Sequence, residues 1–505
     1  VDSNLLKGKI DHSTAGAQRV YQALKNIGGR GQGELLGQIL ATCIASHHSG
    51  LIDILAVDFQ KGNVFAKRLE KEEGKSHLNE CSQSAPETLI RNTENLLRPP
   101  LVQQFMAVVA PILKSGKEAY GITGNFCLGL LTRFLFSCLI DADRLNSAEF
   151  EQPERHQDRL KRSNPPPWEI PIERLEATLT KLKPRNPIDH IRKNISEACR
   201  ARSAQKRGIY TLTVPTGGGK TYASLRYALH HAKINGLERI FYIIPYTSII
   251  EQNAKVMREA IEADGDDLPW ILEHHASLEP ENQTWHSKLV SENWDAPIVI
   301  TTMVQFLEAL FSGGTRGVRR MHQFANSLLG VEEIQTLPIK CVHLFCNAMN
   351  FIVDFARSSV LLCTATQPVL DQLHSPDKGQ LKLSENSELM SELGLAQLFS
   401  DLKRVSVENC FRPGGWTDEE IATLGKQQLE KTGSCLIIVN TKEWAQRLYR
   451  LCESMVPKEA LFHLSTNQCP AHRNTLLDEI RGRLDPDNQQ PVLCISTQLI
   501  EAGVD

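Results

Sequence analysis

Eight consecutive residues, Val214-Pro-Thr-Gly-Gly-Gly-Lys-Thr221, carry the clearest chemistry in this sequence. Successive glycines let the backbone curl until several N–H groups point at one phosphate. A lysine behind them reaches the outer phosphates of a nucleotide, and the hydroxyl that follows is placed for Mg²⁺. Thr216, Gly217, Gly218, Gly219, Lys220 and Thr221 are therefore read as a nucleotide cradle. The strict phosphate-loop pattern has glycine where this chain has Val214, so the match is to the looser Pro-Thr-Gly-x-Gly-Lys-Thr form. Farther on, Val331-Glu332-Glu333-Ile-Gln335 supplies an acidic pair of the kind that holds Mg²⁺ and orients an attacking water, and Thr364-Ala-Thr366 places two hydroxyls at a strand end.

A second chemistry lies near the start, in Asp11-His12-Ser, Ser46-His47-His48-Ser-Gly50 and Asp141-Ala-Asp143-Arg144. Adjacent helical residues diverge by about 100°, so His47 and His48 share one ion only if the helix ends there, which Gly50 permits, or if two ions are present. Paired ions activate water and clamp both oxygens of a phosphodiester.

These groups need elements to hold them. Gly208-Ile-Tyr-Thr-Leu-Thr213 suits a buried strand, and Leu225, Ala228, Leu229 and Ala232 recur at helical spacing until Asn235-Gly236. The cradle thus sits between strand and helix, where the helix N-terminus adds partial positive charge. Residues 1–150 have helical periodicity throughout, as in Leu35, Leu36, Ile39, Leu40, Cys43 and Ile44. Residues 151–185 turn charged and then proline-rich, which reads as a linker carrying one short helical stretch. From 186 to 380, strand patterns at 240–244, 298–302, 327–331 and 359–363 alternate with helices, which predicts a parallel, doubly wound sheet. A second series over 381–505, with strands at 434–440, 460–464 and 491–496, predicts another.

The bulk numbers agree with a globular multidomain protein: 505 residues, 41% apolar and 23% charged. No uninterrupted apolar run is long enough for a bilayer and no signal peptide is visible, so a cytoplasmic protein without membrane association is expected. Thirteen cysteines are never spaced Cys-x-x-Cys, which argues for reduced, mostly buried thiols. A net charge of −3 gives no global signature for nucleic acid, so any such contact needs a local groove. The first residue is Val and the last is Asp505, directly after a strand-and-loop pattern, so the chain reads as clipped at both ends.

Taken in order, the cradle, Pro245-Tyr-Thr-Ser-Ile-Ile-Glu-Gln-Asn253, Thr301-Thr-Met-Val-Gln-Phe306, the acidic pair, Thr364-Ala-Thr366 and Ser496-Thr-Gln-Leu-Ile-Glu-Ala-Gly-Val-Asp505 resemble the superfamily 2 helicases. With the histidine and aspartate motifs ahead of them, the chain resembles the CRISPR-associated helicase-nucleases of type I interference systems. The resemblance implies an all-α HD-type metal domain followed by two RecA-like α/β domains, the second incomplete. It implies ATP and Mg²⁺ at Thr216–Thr221 with Gln498 and Asp505, and catalysis by Glu332, Glu333, Gln335, Thr364 and Thr366. Strand contacts fall to Thr247, Ser248, Gln252, Asn253, Thr302, Gln305 and Thr497. His12, His47, His48 and one of Asp141 and Asp143, with Asp141 favoured, become ligands of a nuclease metal such as Mn²⁺, Fe²⁺, Co²⁺ or Ni²⁺. The implied partners of this monomer are single-stranded DNA and an RNA-guided surveillance complex. Two departures matter. No His-Asp dipeptide occurs, and the family's Asp-Glu pair is here Glu332-Glu333, whose extra methylene tests the strict distances of Mg²⁺. An ATP-gated DNA-binding module with impaired hydrolysis is the alternative.

Overall fold

The computed structural model describes residues 11–29, 31–54, 62–115, 122–151, 153, 165–245, 247–266, 269–275 and 292–500. The chain divides into two compact units, Val1–Lys403 and Arg404–Asp505.

The first unit opens with α1 (His12–Leu24), capped by the Asp11 carboxylate, which accepts from the Thr14 N–H at 3.1 Å. Antiparallel to it lies α2 (Gln32–Ser46), and small residues Ala17, Ala41 and Ala45 let the two backbones approach. After short helical segments come α3 (Pro99–Ser115) and the 30-residue α4 (Ile122–Glu151). By length and composition α4 can cross a bilayer, contrary to the sequence expectation. Its Cys127, Leu130, Phe136 and Ile140 are instead buried in protein. Cys127 and Leu130 join the core beneath the following sheet, and Phe136 and Ile140 join Cys43 and Val318. Each such side chain contributes about 2 kcal/mol against about 1 for a hydrogen bond, so apolar burial dominates this attachment.

Next come α5 (Glu169–Lys181) and α6 (Pro187–Arg202). The stretch read as a linker helix is core: Ile172 and Leu175 are buried, and the Trp168 indole donates to the Leu237 carbonyl at 2.8 Å. The sheet comprises β1 (Ile209–Thr213), β2 (Arg239–Ile244), β3 (Ile271–His274), β4 (Ile298–Thr302), β5 (Ser327–Glu332) and β6 (Ser359–Thr364), in the order β1-β6-β5-β2-β4-β3, parallel throughout. Continuous burial of β1 and β4 is what strands covered on both faces require. The helices α7 (Lys220–Asn235), α8 (Thr247–Ile261), α9 (Met303–Phe311) and α10 (Val342–Phe355) connect them. Strand β3 escaped the sequence reading because four residues leave no alternation to recognise.

The unit runs past 380 to Lys403, since Leu389, Met390, Leu398 and Leu402 are buried in the core of the first sheet. The second unit holds β7 (Ser434–Val439), β8 (Leu461–Leu464) and β9 (Val492–Thr497), parallel in the order β7-β9-β8, with α11 (Asp418–Thr432) and α12 (Lys442–Cys452) packed on them. His231 is fully buried, hydrogen-bonded to the Ser203 carbonyl and the Ser359 hydroxyl, and burial pushes it down to about 4. His275 is likewise buried, and His274 meets the Arg320 guanidinium at 3.0 Å.

Candidate functional site

The cradle forms where β1 gives way to α7. Gly217 and Gly219 both take φ of +81°, a region that costs other residues. A Cβ on Gly218 would stand 2.5 Å from the side chain of Val214, so the valine in place of glycine is accommodated by glycine opposite. Arg192 of α6, which the sequence did not mark, donates to the Gly217 carbonyl at 2.8 Å and braces the loop from outside. Thr216 is exposed on the loop.

Lys220 opens α7 and its ammonium donates to Glu333 at 2.6 Å. Glu333 sits just past β5 with φ of +48°, a left-handed conformation of the kind that marks functional turns in non-glycine residues. The same carboxylate accepts from the Gln335 amide at 2.7 Å, and the Thr364 hydroxyl at the end of β6 donates to Gln335 at 2.7 Å. Lys220 and Gln335 thus meet on one carboxylate, and the Thr364 hydroxyl also donates to it at 3.4 Å. Burial acts to raise Glu333, but the hydrogen bond and charge of Lys220 outweigh it and hold the group below its ordinary value. The Thr366 side chain is exposed, and its backbone N–H donates to the Thr364 hydroxyl.

Glu332 behaves oppositely. Burial pushes it up to about 7, against the charge of Lys220. Its partner is Asn253 of α8, whose amide donates to it at 3.1 Å and whose carbonyl accepts from the Thr221 hydroxyl at 3.2 Å. Asn253, expected at a strand-contacting surface, is instead buried between Thr221 and Glu332. Replacing Asn253 with alanine is expected to lower nucleotide turnover about tenfold while leaving single-strand affinity unchanged, as separate turnover and fluorescence-anisotropy titrations would establish.

The remaining strand-contact candidates scatter. Gln252 is exposed on α8, and Thr302 caps α9 by accepting from the Gln305 N–H at 3.1 Å. Thr497 and Gln498 lie at the end of β9 in the second unit. Asp505 and the side chains of Thr247 and Ser248 lie outside the described residues.

A second cluster forms in the helical region. Ring nitrogens of His12, His47 and His48 all lie within 4.8 Å of one another, with His12 and His48 meeting through Nε2 at 2.7 Å. His12 is the first residue of α1 and the pair follows the end of α2, so the packing of two helices brings them together. Nδ1 of His47 donates to the Ile44 carbonyl at 2.6 Å, which leaves its Nε2 free to accept an ion. Burial, then the neighbouring His47 and His12, push His48 below the ordinary histidine value, which favours the neutral ring that ligates metal. Three convergent imidazoles suit a divalent transition ion.

Asp141, the carboxylate favoured to complete this set, is not brought to the imidazoles. Asp141 is buried and faces away, held by Arg319 at 2.8 Å and by His322 and Asn293. Asp143, two residues on, is exposed and close enough to His48 to counter its downward shift. Two positions on a helix turn by roughly 200°, so one carboxylate must face away when the other faces the imidazoles. Gly50 ends the motif with φ of +89°, and a Cβ there would stand 2.2 Å from the Gly313 carbonyl. Gly50→Ala is expected to destabilise the first unit by at least about 2 kcal/mol, measurable by denaturant unfolding.

Comparison with known proteins agrees with this geometry. Residues 195–373 match the DEAD/DEAH box helicase family. Over 187 residues, covering 33% of this chain, the sequence is 30% identical to the CRISPR-associated nuclease/helicase Cas3 of Haloferax volcanii, of which it covers 20%. Crystal structures of T. fusca Cas3 and of T. fusca Cas3-AMPPNP superpose with TM-scores of 0.59 and 0.60 at 16% identity, covering 99% and 98% of this chain. The chain covers 60% and 59% of those structures, and so spans about three fifths of their length. The chain accordingly carries a DEAD/DEAH box helicase domain behind a helical region, is similar over 187 residues to a Cas3 nuclease/helicase, and shares the fold of the T. fusca Cas3 structures.

Proposed function

We propose that this chain is an ATP-dependent translocase or helicase on single-stranded DNA, with a metal-dependent endonuclease site in its helical region, acting in CRISPR interference beside an RNA-guided surveillance complex. The observation that carries the motor reading is the set of hydrogen bonds that Lys220, Gln335 and Thr364 make to Glu333. Lys220 exchanges its carboxylate partner for the outer phosphates of entering ATP, which frees Glu333 to orient water while Gln335 keeps it in place. Thr221 and Glu332 would hold Mg²⁺, which would neutralise charge on the phosphates, and Asn253 links the two side chains. His12, His47, His48 and Asp143 would hold the nuclease ion, which would supply an activated water for phosphodiester cleavage. The nuclease region occupies residues 1–150, and the motor takes in α5 from Trp168, with a division at 403. The reading is of a monomer working in the cytoplasm.

The alternative, an ATP-gated DNA clamp, draws on the elevated pKa of Glu332, since a protonated carboxyl is a poor Mg²⁺ ligand. The test is ATP turnover with and without single-stranded DNA, comparing Glu332 with Glu332→Asp. DNA-stimulated turnover by the natural sequence supports the motor; turnover by the aspartate variant alone supports the clamp, and silence from both removes the motor assignment.

Because Glu332 titrates near 7, Mg²⁺-ATP affinity should climb between about pH 6 and pH 8, with proton release on binding near neutrality. The sign for folding is opposite. Raised above its unfolded value of about 4.3, this group gives nucleotide-free protein stability that is fully present below that value and is lost as pH rises to about 7, then level. Glu332→Gln should flatten that part of the pH profile in thermal unfolding.

A further inference from the structure

Four polar residues of α4 bond in turn to the segment that follows α9. The Arg133 guanidinium donates to the carbonyls of Leu310 and Ser312, both at 2.6 Å. Ser137 is joined to His322, its hydroxyl 2.9 Å from the ring and accepting from the backbone N–H at 3.0 Å. Asp141 accepts from Arg319 at 2.8 Å, and Arg144 donates to the Thr315 hydroxyl at 2.8 Å. Spacings of four, four and three residues put all four on one stripe of the helix. Asp143 lies on the other side of the same turn, toward His48.

The segment they grip is tied at both ends to α9. Arg133 binds the carbonyls at the C-terminal end of that helix, and Arg320, next to Arg319, donates to the Gln305 side chain in its first turn at 2.9 Å. Thr302 and Gln305 are the candidate strand contacts at its N-terminal end. A shift of α9 on binding a strand therefore pulls on α4 through Arg133 and the Arg319–Asp141 pair, and a shift of α4 moves Asp143 relative to the three imidazoles.

We propose that this stripe is a strut coupling single-strand occupancy at Thr302 and Gln305 to the geometry of the histidine metal site, with Asp141 as its positioning residue. The inference rests on the two site assignments above and adds the link between them. If the sites are linked, each ligand changes the affinity of the other by the same factor.

The test measures Mn²⁺ binding to the full chain by electron paramagnetic resonance, with and without oligothymidylate. In the natural sequence the oligonucleotide should change the Mn²⁺ dissociation constant by about fivefold or more, and Mn²⁺ should change oligonucleotide affinity by the same factor. Asp141→Asn should abolish that factor, and the milder Thr315→Val, which costs the surface little, should reduce it. A merely structural Asp141 would alter the melting temperature and leave the factor intact, which would overturn the proposal. So would binding of both ligands without linkage in the natural sequence. Mn²⁺ binding that is absent, or indifferent to His48→Ala, would sink the metal assignment itself, a distinguishable result that takes the strut with it.

Discussion

Replacing Lys220 by alanine is expected to lower ATP turnover by at least about a hundredfold, the scale on which fixed charges at a transferring group act. In the nucleotide-free protein Lys220 is held at 2.6 Å from Glu333. Its removal has two consequences from one deletion. The phosphates lose their cation, and Glu333 loses the partner that keeps it ionised against the pull of burial, so the group meant to orient water drifts toward its protonated form. Lys220→Arg separates them, because a guanidinium retains the charge for Glu333 but presents a planar fork where the loop is built around a compact ammonium. Steady-state turnover together with binding of a fluorescent nucleotide would show the alanine variant failing at both steps and the arginine variant chiefly at turnover. Turnover within tenfold of the natural protein in Lys220→Ala would remove this loop from the catalytic assignment.

The second large effect is expected at Asp143. Asp143→Ala should weaken Mn²⁺ binding and metal-dependent strand cleavage by at least about a hundredfold, with little change in folding because the residue is exposed. Asp141→Ala should show the reverse balance. It takes one of two carboxylates from Arg319, itself 2% exposed, and leaves Glu292 at 2.7 Å, so the expected loss is about 2 kcal/mol, the scale of a hydrogen bond to a charged group. Calorimetric metal titration beside thermal unfolding distinguishes them: loss of metal at constant stability identifies the ligand, and a fall in stability identifies the brace. Metal loss at constant stability in Asp141→Ala, with Asp143→Ala binding normally, would restore the opposite assignment.

Much of the helicase fold was legible from residues alone. The strands around the cradle are β-branched and unbroken, α7 begins at Lys220 after two glycines of positive φ, and Gly236 ends it, all signals contained within a few residues. The proline-rich stretch misled because the helix behind it, α5, carries its buried Ile172 and Leu175 against strands far along the chain. The burial of His231, between His230 and Ala232, is likewise invisible locally, because only the fold supplies the Ser203 carbonyl and Ser359 hydroxyl that satisfy it.

The sequence by itself determined which chemistry is present: a phosphate loop, an acidic pair, three histidines and two carboxylates two positions apart. Helical geometry also dictated that Asp141 and Asp143 point in opposite directions. That Asp141 turns away from the imidazoles was decided by the packing of α4 between α2 and the segment around Arg319, because periodicity fixes the angle between two side chains and says nothing about what stands on either side. The same holds for Asn253, whose place between Thr221 and Glu332 depends on α8 crossing under the loop. Contacts between residues 32 and 79 positions apart carry no local signature, so tertiary structure alone assigned them.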